Sequence, residues 1–477
     1  MAADPLCYLS GQAALGLFRR RELSPVELMR ALIARTDAVE PHINAFTETY
    51  FEQALAQARA AEQRYMGQGA APRPLEGLPL AVKEEFRLAG TRRCSGSLIY
   101  RDRVDAETDP LIQRLLDAGA IAHAKTTVPE GCLLGTTHSR LWGVTRNPWK
   151  LAASPGGSSG GSGAALAAGT ATLATGTDIG GSIRIPAALC GVAGYKPPYG
   201  RNPEIPVYNL DFFAHSGPMA RSVADLALMQ NVISGPEPTD IASLRERVTL
   251  STEVPADLKG WKIAYSLDLD CFQVEAAVRR ATLDALDTFR ALGAEIEPVT
   301  LGWTREMMNA GETYLGHLWG AAMADLLALH RAEMTDYAIA FGEHATRSTA
   351  QDFRHALTLI AEMYRRFGPM LDRYDLFVCP TLATSALGAA QVPSDRITIN
   401  GKDLPAEEGV WTMTTPFNML SRCPVLAVPS GAVQDGVPIG IQLVARTYDD
   451  ARAFRAGLAY EAARPWFTPG SAEPNFL

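Results

Sequence analysis

Apolar positions along the chain follow two periods, one typical of strands and one typical of helices. Residues 78–82 form an unbroken apolar run that predicts a buried strand, whereas residues 272–292 carry apolar side chains near helical spacing and predict an amphipathic helix. Ser24, followed by Glu27, predicts a capping box that begins a helix ending at about Val39. Extended and helical patterns therefore share the chain.

The other patterned segments alternate between the two kinds of element. Helices are predicted over residues 48–65, 109–118, 159–168 and, less regularly, 301–364; strands are predicted over residues 120–125, 171–175, 376–379, 425–428 and 440–444. Strands that alternate with helices are typical of a sheet with helices packed on both of its faces. We therefore predict an α/β fold with a mixed, largely parallel twisted sheet that is covered by helices on both faces.

No segment has the composition of a linker between domains. We therefore predict a single domain over residues 1–477. It divides into an N-terminal helical region at 1–70, a core at 77–225 and a variable helical region at 301–364 that shapes a pocket. A chain of this length can bury a large core.

Composition narrows the function classes. The formal charge of −8 shows that the chain has no excess of basic residues, which nucleic-acid-binding proteins typically have. No apolar run reaches the length of a membrane span, and the N-terminus lacks the pattern of a signal peptide, so we expect a cytoplasmic protein without membrane contact. Seven scattered cysteines with no CxxC pair argue against a disulfide framework and a zinc site. We expect neither a metal nor a cofactor.

Three short segments carry the candidate chemistry. Lys83 ends the apolar run GLPLAVK, Ser158 lies in GGSSGGS, and Ser182 follows two glycines in GTDIGGSIRIP. Bare backbone before Ser182 can aim several N–H groups at one point, as the oxyanion of an acyl transfer requires. A serine nucleophile also needs a base to take its proton. None of the eight histidines lies in these segments, and Lys83 is either a catalytic lysine or a side chain that reaches solvent from the end of a buried strand.

These residues and their spacing resemble the amidase signature family of Ser–cis-Ser–Lys hydrolases. The resemblance covers most of the chain and extends to the motifs GAIAHAKTTVPEG, TRNPWKLAASPGGSSGGSGAALAAG, GYKP, GPMARSVAD and VPIGIQLVA. The separations from Lys83 to Ser158 and from Ser158 to Ser182 match as well. The resemblance implies the amidase signature fold and the hydrolysis of amide bonds.

The resemblance also implies roles for individual residues. Ser182 would be the nucleophile, Ser158 the bridging serine on a cis peptide bond, and Lys83 the terminal base. Cys132 and Leu133 would lie in the loop that lines the acyl pocket. The backbone N–H groups of the oxyanion hole would be those of Ile179, Gly180, Gly181 and Ser182.

A lysine acts as a base only when it is uncharged. Burial against the apolar strand lowers the pKa of Lys83, and Ser158 can then pass the proton of Ser182 to the lysine nitrogen. Glu84 and Glu85 follow the lysine directly, and their negative charges would favour the ammonium form. We therefore predict that both glutamates point away from the lysine nitrogen.

Two charged residues beside Ser182 have structural interpretations. Arg184 is expected to form a structural ion pair rather than to bind a substrate carboxylate, and Asp178 is expected to buttress the glycine turn. The expected substrate-binding positions are Cys132, Leu133, Gly157, Trp142, Phe212 and Trp411, with Tyr208, Phe213, Met413 and Phe417 as further candidates for the pocket wall. Most are apolar, which favours aryl or alkyl substrates.

The predicted function is an amidase that acts on a small-molecule amide with water, through an acyl-enzyme on Ser182. Esters and carbamates (urethanes) are further candidate substrates, and a homodimer is left open. One alternative is a subunit of the glutamine-dependent aminoacyl-tRNA amidotransferase. A second is an α/β-hydrolase esterase with Ser158 as nucleophile, although that fold needs a late histidine and the last one here is His355. A non-enzymatic scaffold is the third.

Overall fold

Strands and helices alternate along residues 4–467 and Pro474, the part of the chain that the computed structural model describes. The strands are β1 (Phe46–Thr49), β2 (Pro79–Lys83), β3 (Ile121–Thr126), β4 (His138–Ser139), β5 (Gly143–Val144), β6 (Leu173–Thr177), β7 (Ala193–Lys196), β8 (Ser216–Ala220), β9 (Lys262–Tyr265), β10 (Glu295–Pro298), β11 (Leu376–Pro380), β12 (Arg396–Ile399), β13 (Lys402–Pro405), β14 (Val425–Gln434) and β15 (Val437–Val444). The helices are α1 (Gly11–Arg20), α2 (Pro25–Ile43), α3 (Phe51–Tyr65), α4 (Pro110–Asp117), α5 (Gly160–Ala168), α6 (Arg184–Cys190), α7 (Val223–Ile233), α8 (Ala276–Ala291), α9 (Arg305–His330), α10 (Asp336–Ala345), α11 (Ala350–Leu371), α12 (Glu408–Trp411), α13 (Pro416–Met419) and α14 (Asp450–Ala463).

Eleven of these strands form one sheet in the order β1-β3-β2-β6-β8-β7-β14-β15-β11-β9-β10. Strand β2 runs parallel to both β3 and β6, and β9 runs parallel to both β10 and β11. Antiparallel ladders join these two groups through β8, β7, β14 and β15, and β1 adds an antiparallel edge. The predicted α/β fold with a mixed sheet flanked by helices is confirmed.

Helix α5 connects the sheet to the candidate chemistry. All of its residues are buried, and they are small enough for the helix backbone to approach its neighbours closely. A Cβ on Gly161 would lie only 2.4 Å from the backbone nitrogen of Thr127. The hydroxyl of Ser162 donates to the carbonyl oxygen of Thr175 in β6 at 2.9 Å. This packing fixes the start of α5, and therefore Ser158, beside the ends of the parallel strands.

The sequence patterns predicted about half of these elements, and two of the predicted segments differ clearly from the structure. The predicted capping box of Ser24 and Glu27 is present at the start of α2. The helix predicted over 48–65 begins only at Phe51, because the preceding residues pair with β3 as the edge strand β1. The irregular pattern over 301–364 corresponds to three helices, α9, α10 and α11, of which α10 and α11 both pack on α9.

Within residues 4–467 and Pro474, no helix is both long and apolar enough to cross a membrane. The division of the chain into the three regions proposed above stays a prediction. One sheet does include strands from Phe46 to Val444, so the proposed core and the C-terminal strands share their hydrogen-bonding network.

Candidate active site

The lysine and the first serine meet at the carboxyl ends of the parallel strands. Lys83 is the last residue of β2, and its side chain is fully buried. Its Nζ donates to Ser158 Oγ at 2.8 Å. The Gly157–Ser158 peptide bond is cis, and Ser159 begins the cap of α5 immediately afterwards. Two residues that are distant in sequence are thus brought into direct contact.

Ser182 lies between β6 and α6 and is partly exposed to the cavity that Ser158 also lines. Its carbonyl oxygen accepts a hydrogen bond from the backbone nitrogen of Ser159 at 3.2 Å, which ties the two serine segments together. Among the described residues, its hydroxyl has no hydrogen-bond partner. The hydroxyl is therefore free to approach a molecule in the cavity.

The backbone N–H groups of Ser182 and of the three residues before it have no acceptor in the described part of the chain. The next two, those of Ile183 and Arg184, turn back to Asp178 Oδ2 at 3.2 and 3.4 Å. The four N–H groups without an acceptor belong to the residues that were predicted to form the oxyanion hole: Ile179, Gly180, Gly181 and Ser182.

The two glycines of this turn differ in what they require. Gly181 has a φ of +133°, and a Cβ there would lie 2.0 Å from Thr414 Oγ1, so a side chain would strain the backbone and clash. A Cβ on Gly180 would meet nothing closer than Thr415 Oγ1 at 3.7 Å. A side chain is therefore excluded on steric grounds at Gly181 but not at Gly180.

Asp178 and Arg184 form the expected structural ion pair. Both side chains are fully buried and lie 2.8 Å apart. Arg184 also donates to Thr414, Asn418 and Gln442, which leaves it no free donor for a substrate carboxylate. Burial opposes ionisation of Asp178, but the adjacent guanidinium outweighs it and holds the pKa of this carboxyl well below its usual range.

The two glutamates after the lysine behave differently from each other. Glu84 points away, as predicted, and accepts hydrogen bonds from the backbone nitrogens of Cys94 and Ser95. Glu85 does the opposite of what was predicted, because its Oε2 lies 3.0 Å from Lys83 Nζ. Burial lowers the pKa of Lys83, whereas the contact with the Glu85 carboxylate raises it. The contact with Glu85 therefore favours the ammonium form of Lys83.

The cavity above these residues has a volume of about 960 Å³. The predicted residues Cys132, Leu133, Ser158, Ile179, Gly180, Ser182 and Tyr208 line it. Helices α9 and α10 form the opposite wall. There Trp319 stacks on Tyr208 with ring centroids 4.7 Å apart, and its Nε1 donates to Asp211 at 2.7 Å.

Several predicted wall residues lie elsewhere. Trp142 lies under Arg92, with the guanidinium 5.6 Å from its ring, and Gly157 is enclosed by the backbone of Leu134 and Thr136. The others are packed in the hydrophobic core and do not line the cavity: Phe212, Phe213, Trp411, Met413 and Phe417. Sequence alone could not separate them from wall residues, because core and pocket positions are equally apolar.

The cavity is also more polar than the sequence suggested. Six carboxyl side chains line it, against two arginines: Glu85, Glu312, Asp325, Asp336, Glu407 and Glu408, against Arg93 and Arg103. Burial raises the pKa of Glu408 to about 7 and also raises that of Glu312. Sequence reasoning missed these residues, and no motif marks those on α9 and α10. Thr177, which contacts Lys83, could have been suspected because it lies in the GTDIGGS segment.

Comparison with known proteins agrees with this geometry. The family model described as Amidase matches residues 27–454. This chain belongs to the amidase signature family. It is 36% identical to an acylamidase of Rhodococcus erythropolis over 98% of both chains, and 34% identical to a glutamyl-tRNA(Gln) amidotransferase subunit of Chloroflexus aggregans over 97% of this chain and 98% of that one.

A solved amidase signature enzyme has the same fold. The crystal structure of a bacterial aryl acylamidase matches with a TM-score of 0.90 and 28% identity, covering 97% of this chain and 98% of that one. Membership of the amidase signature family makes the chain an amide hydrolase in its general class. The α/β-hydrolase alternative is excluded by the fold, and among the described residues no histidine is hydrogen-bonded to Ser158.

Proposed function

We propose that this chain hydrolyses small acylamides through an acyl-enzyme on Ser182. The observation that carries the proposal is the 2.8 Å contact between Lys83 Nζ and Ser158 Oγ, at a cavity that also exposes Ser182. A lysine, a bridging serine and a partly exposed serine supply a base, a proton relay and a nucleophile. The four unassigned N–H groups beside Ser182 supply donors for an oxyanion.

The reaction proceeds in two halves. Ser182 Oγ attacks the carbonyl carbon and its proton passes to Ser158, whose own proton passes to the uncharged Lys83 amine. The oxyanion accepts hydrogen bonds from the turn, the C–N bond breaks, and the relay runs in reverse to protonate the departing amine. Water then attacks the acyl-enzyme by the same relay and releases the acid, which restores every proton to its starting group.

Aryl acylamides fit the cavity best. The stacked rings of Tyr208 and Trp319 offer a flat wall, and aromatic rings gain about 0.5–1.5 kcal/mol from such contacts beyond simple burial. The similarity to an aryl acylamidase agrees with this choice. Aryl esters and carbamates present a similar carbonyl to the same residues, and alcohols leave more readily than amines, so we propose both as further substrates.

A second candidate is a subunit of a glutamyl-tRNA(Gln) amidotransferase. The 34% identity to the Chloroflexus aggregans protein over nearly the whole chain is the observation that supports it. The two candidates differ in whether they need partner subunits: an acylamidase acts alone, whereas an amidotransferase subunit acts within its complex. Hydrolysis of an anilide by the purified chain alone would decide for the acylamidase, whereas activity only with added amidotransferase subunits would decide against it.

The nucleophile is tested with Ser182→Ala on a panel of anilides, aliphatic amides, aryl esters and carbamates. We expect the variant to lose all measurable turnover of every substrate, and mass spectrometry of quenched wild-type enzyme to find the acyl group on the Ser182 peptide. Ser251→Ala, at an exposed serine outside the cavity, serves as the control and should keep normal rates. Near-normal turnover by Ser182→Ala would remove the proposed mechanism.

A further inference from the structure

Glu85 and Thr177 form a closed set of contacts with the lysine that the proposed mechanism does not use. Lys83 Nζ donates to Thr177 Oγ1 at 2.5 Å, and Thr177 Oγ1 in turn donates to Glu85 Oε2 at 2.6 Å. The same carboxylate oxygen lies 3.0 Å from the lysine nitrogen. Glu85 thus contacts Lys83 both directly and through a hydroxyl.

The number of acceptors around the lysine matches the ammonium form. An ammonium group has three hydrogens to donate and no lone pair to accept with. Its three partners are Ser158, Thr177 and Glu85. An uncharged amine would have only two hydrogens and a lone pair that needs a donor, such as the Ser158 hydroxyl. The structure therefore holds the lysine in the state that cannot yet act as a base.

The other charges near the lysine are compensated or absent. Asp178 is paired with Arg184. Burial raises the pKa of the Cys132 thiol, which keeps it uncharged at neutral pH. On the far side of Glu85, burial raises the pKa of Glu204 to about 8, and burial also keeps the Tyr208 phenol uncharged.

Glu84 is the remaining neighbour. Burial raises its pKa to about 7, and its carboxyl is directed at the backbone of Cys94 and Ser95. Glu85 is the carboxylate that lies in direct contact with the lysine nitrogen. Its side chain is 13% exposed, and it lines the cavity.

We propose that Glu85 is a positioning residue for amide hydrolysis, which together with Thr177 stores a proton on Lys83 at rest and sets the pH at which this lysine becomes the base. This inference rests on the proposed function. A neighbouring anion raises the pKa of an amine, so the base form is scarcer at neutral pH. Once formed, that base takes the serine proton more completely, because proton transfer follows the strength of the base.

The test compares kcat/KM against pH for wild type, Glu85→Gln and Glu85→Asp, with an aryl ester and an anilide. In wild type, kcat/KM should rise with pH as Lys83 loses its proton. Glutamine keeps the size of the side chain but removes the charge, so the acidic limb should move to lower pH by roughly 1–3 units, the range expected for one nearby charge. The plateau at high pH should fall, because the uncharged neighbour leaves a weaker base.

Glu85→Asp retains a charge and should place the limb between those of wild type and Glu85→Gln. Glu84→Gln is the matched control, since it makes the same chemical change one residue away and outside the lysine contacts; its limb should coincide with that of wild type. If Glu85→Gln does not fold, the shift of Glu85→Asp relative to Glu84→Gln decides the matter.

Two results would overturn the inference: an acidic limb that stays in place in both Glu85 variants, or one that moves to higher pH. Neither result affects the assignment of the nucleophile, which depends on Ser182→Ala. Conversely, full activity of Ser182→Ala would remove the proposed function whatever the Glu85 profiles show.

Discussion

At the scale of single residues, the contact of Glu85 with Lys83 changes the chemistry most. A lysine that is buried against apolar residues alone would be uncharged and ready to act. Here a carboxylate at 3.0 Å and a hydroxyl at 2.5 Å hold it as a cation. The sequence places Glu84 and Glu85 next to the base, but only the direction of each side chain decides which of them matters.

The two glycines before Ser182 give a residue-scale prediction. Gly181→Ala should lower kcat by roughly 10²–10³-fold, about 2.7–4 kcal/mol, because the strained turn would displace an oxyanion donor. Gly180→Ala adds the same methyl group where it meets nothing closer than 3.7 Å, so it should retain much more activity. Rates on one anilide, with thermal unfolding to confirm folding, check the pair. Equal losses in both variants would contradict the steric argument.

At the scale of elements, two kinds of structure build the site. The end of β2, the segment before α5 and the turn between β6 and α6 hold the proposed reacting groups. Lys83 and Ser158 are buried there, and Ser182 is partly exposed to the cavity. Helices α9 and α10 hold the facing wall and carry no catalytic group. With this division, residues of the wall can change the substrate preference without changing the reacting groups on the strands.

The aromatic wall gives an element-scale prediction. Trp319→Ala should lower kcat/KM for anilides by roughly 2- to 12-fold, the equivalent of about 0.5–1.5 kcal/mol, because it removes the ring stacked on Tyr208. A small aliphatic amide, which is too short to need the wall, should be affected less. Trp142→Ala is the control, since that ring lies outside the cavity. An equal loss for anilide and aliphatic amide would argue against the wall.

At the scale of the whole molecule, the chain and the lining of the cavity both contain more acidic than basic side chains. The protein has a formal charge of −8, and carboxyl groups outnumber arginines around the cavity. Like charges repel one another, and salt shortens the distance over which this repulsion acts. We therefore expect the cavity to disfavour anionic substrates, in addition to any preference from shape.

This charge gives a prediction for substrates. An anilide with a carboxylate on its ring should have a kcat/KM at least roughly fivefold below that of its methyl ester, because one charge pair at contact distance in water is worth about 1 kcal/mol. The gap should narrow as ionic strength rises, since screening weakens the repulsion. Steady-state rates at low and high salt check this. A faster carboxylate substrate, or a gap that salt leaves unchanged, would contradict it.

The sequence by itself determined the fold class and identified the candidate reacting groups. Lys83, Ser158 and Ser182 could be found because each lies in a local segment whose glycines or apolar run constrain the backbone around it. The capped start of α2 could be found for the same reason, since Ser24 and Glu27 are neighbours along one helix. Local signals of this kind depend on spacing that can be read directly along the chain.

Only the tertiary structure decided the surroundings of these groups. Phe213 and Trp411 are core residues, whereas Trp319 lines the cavity, although all three are aromatic side chains. Lys83 and Glu85 both contact Thr177, which comes from another strand. Burial and side-chain direction arise when segments distant along the chain pack together, so the order of residues in any one segment cannot specify them.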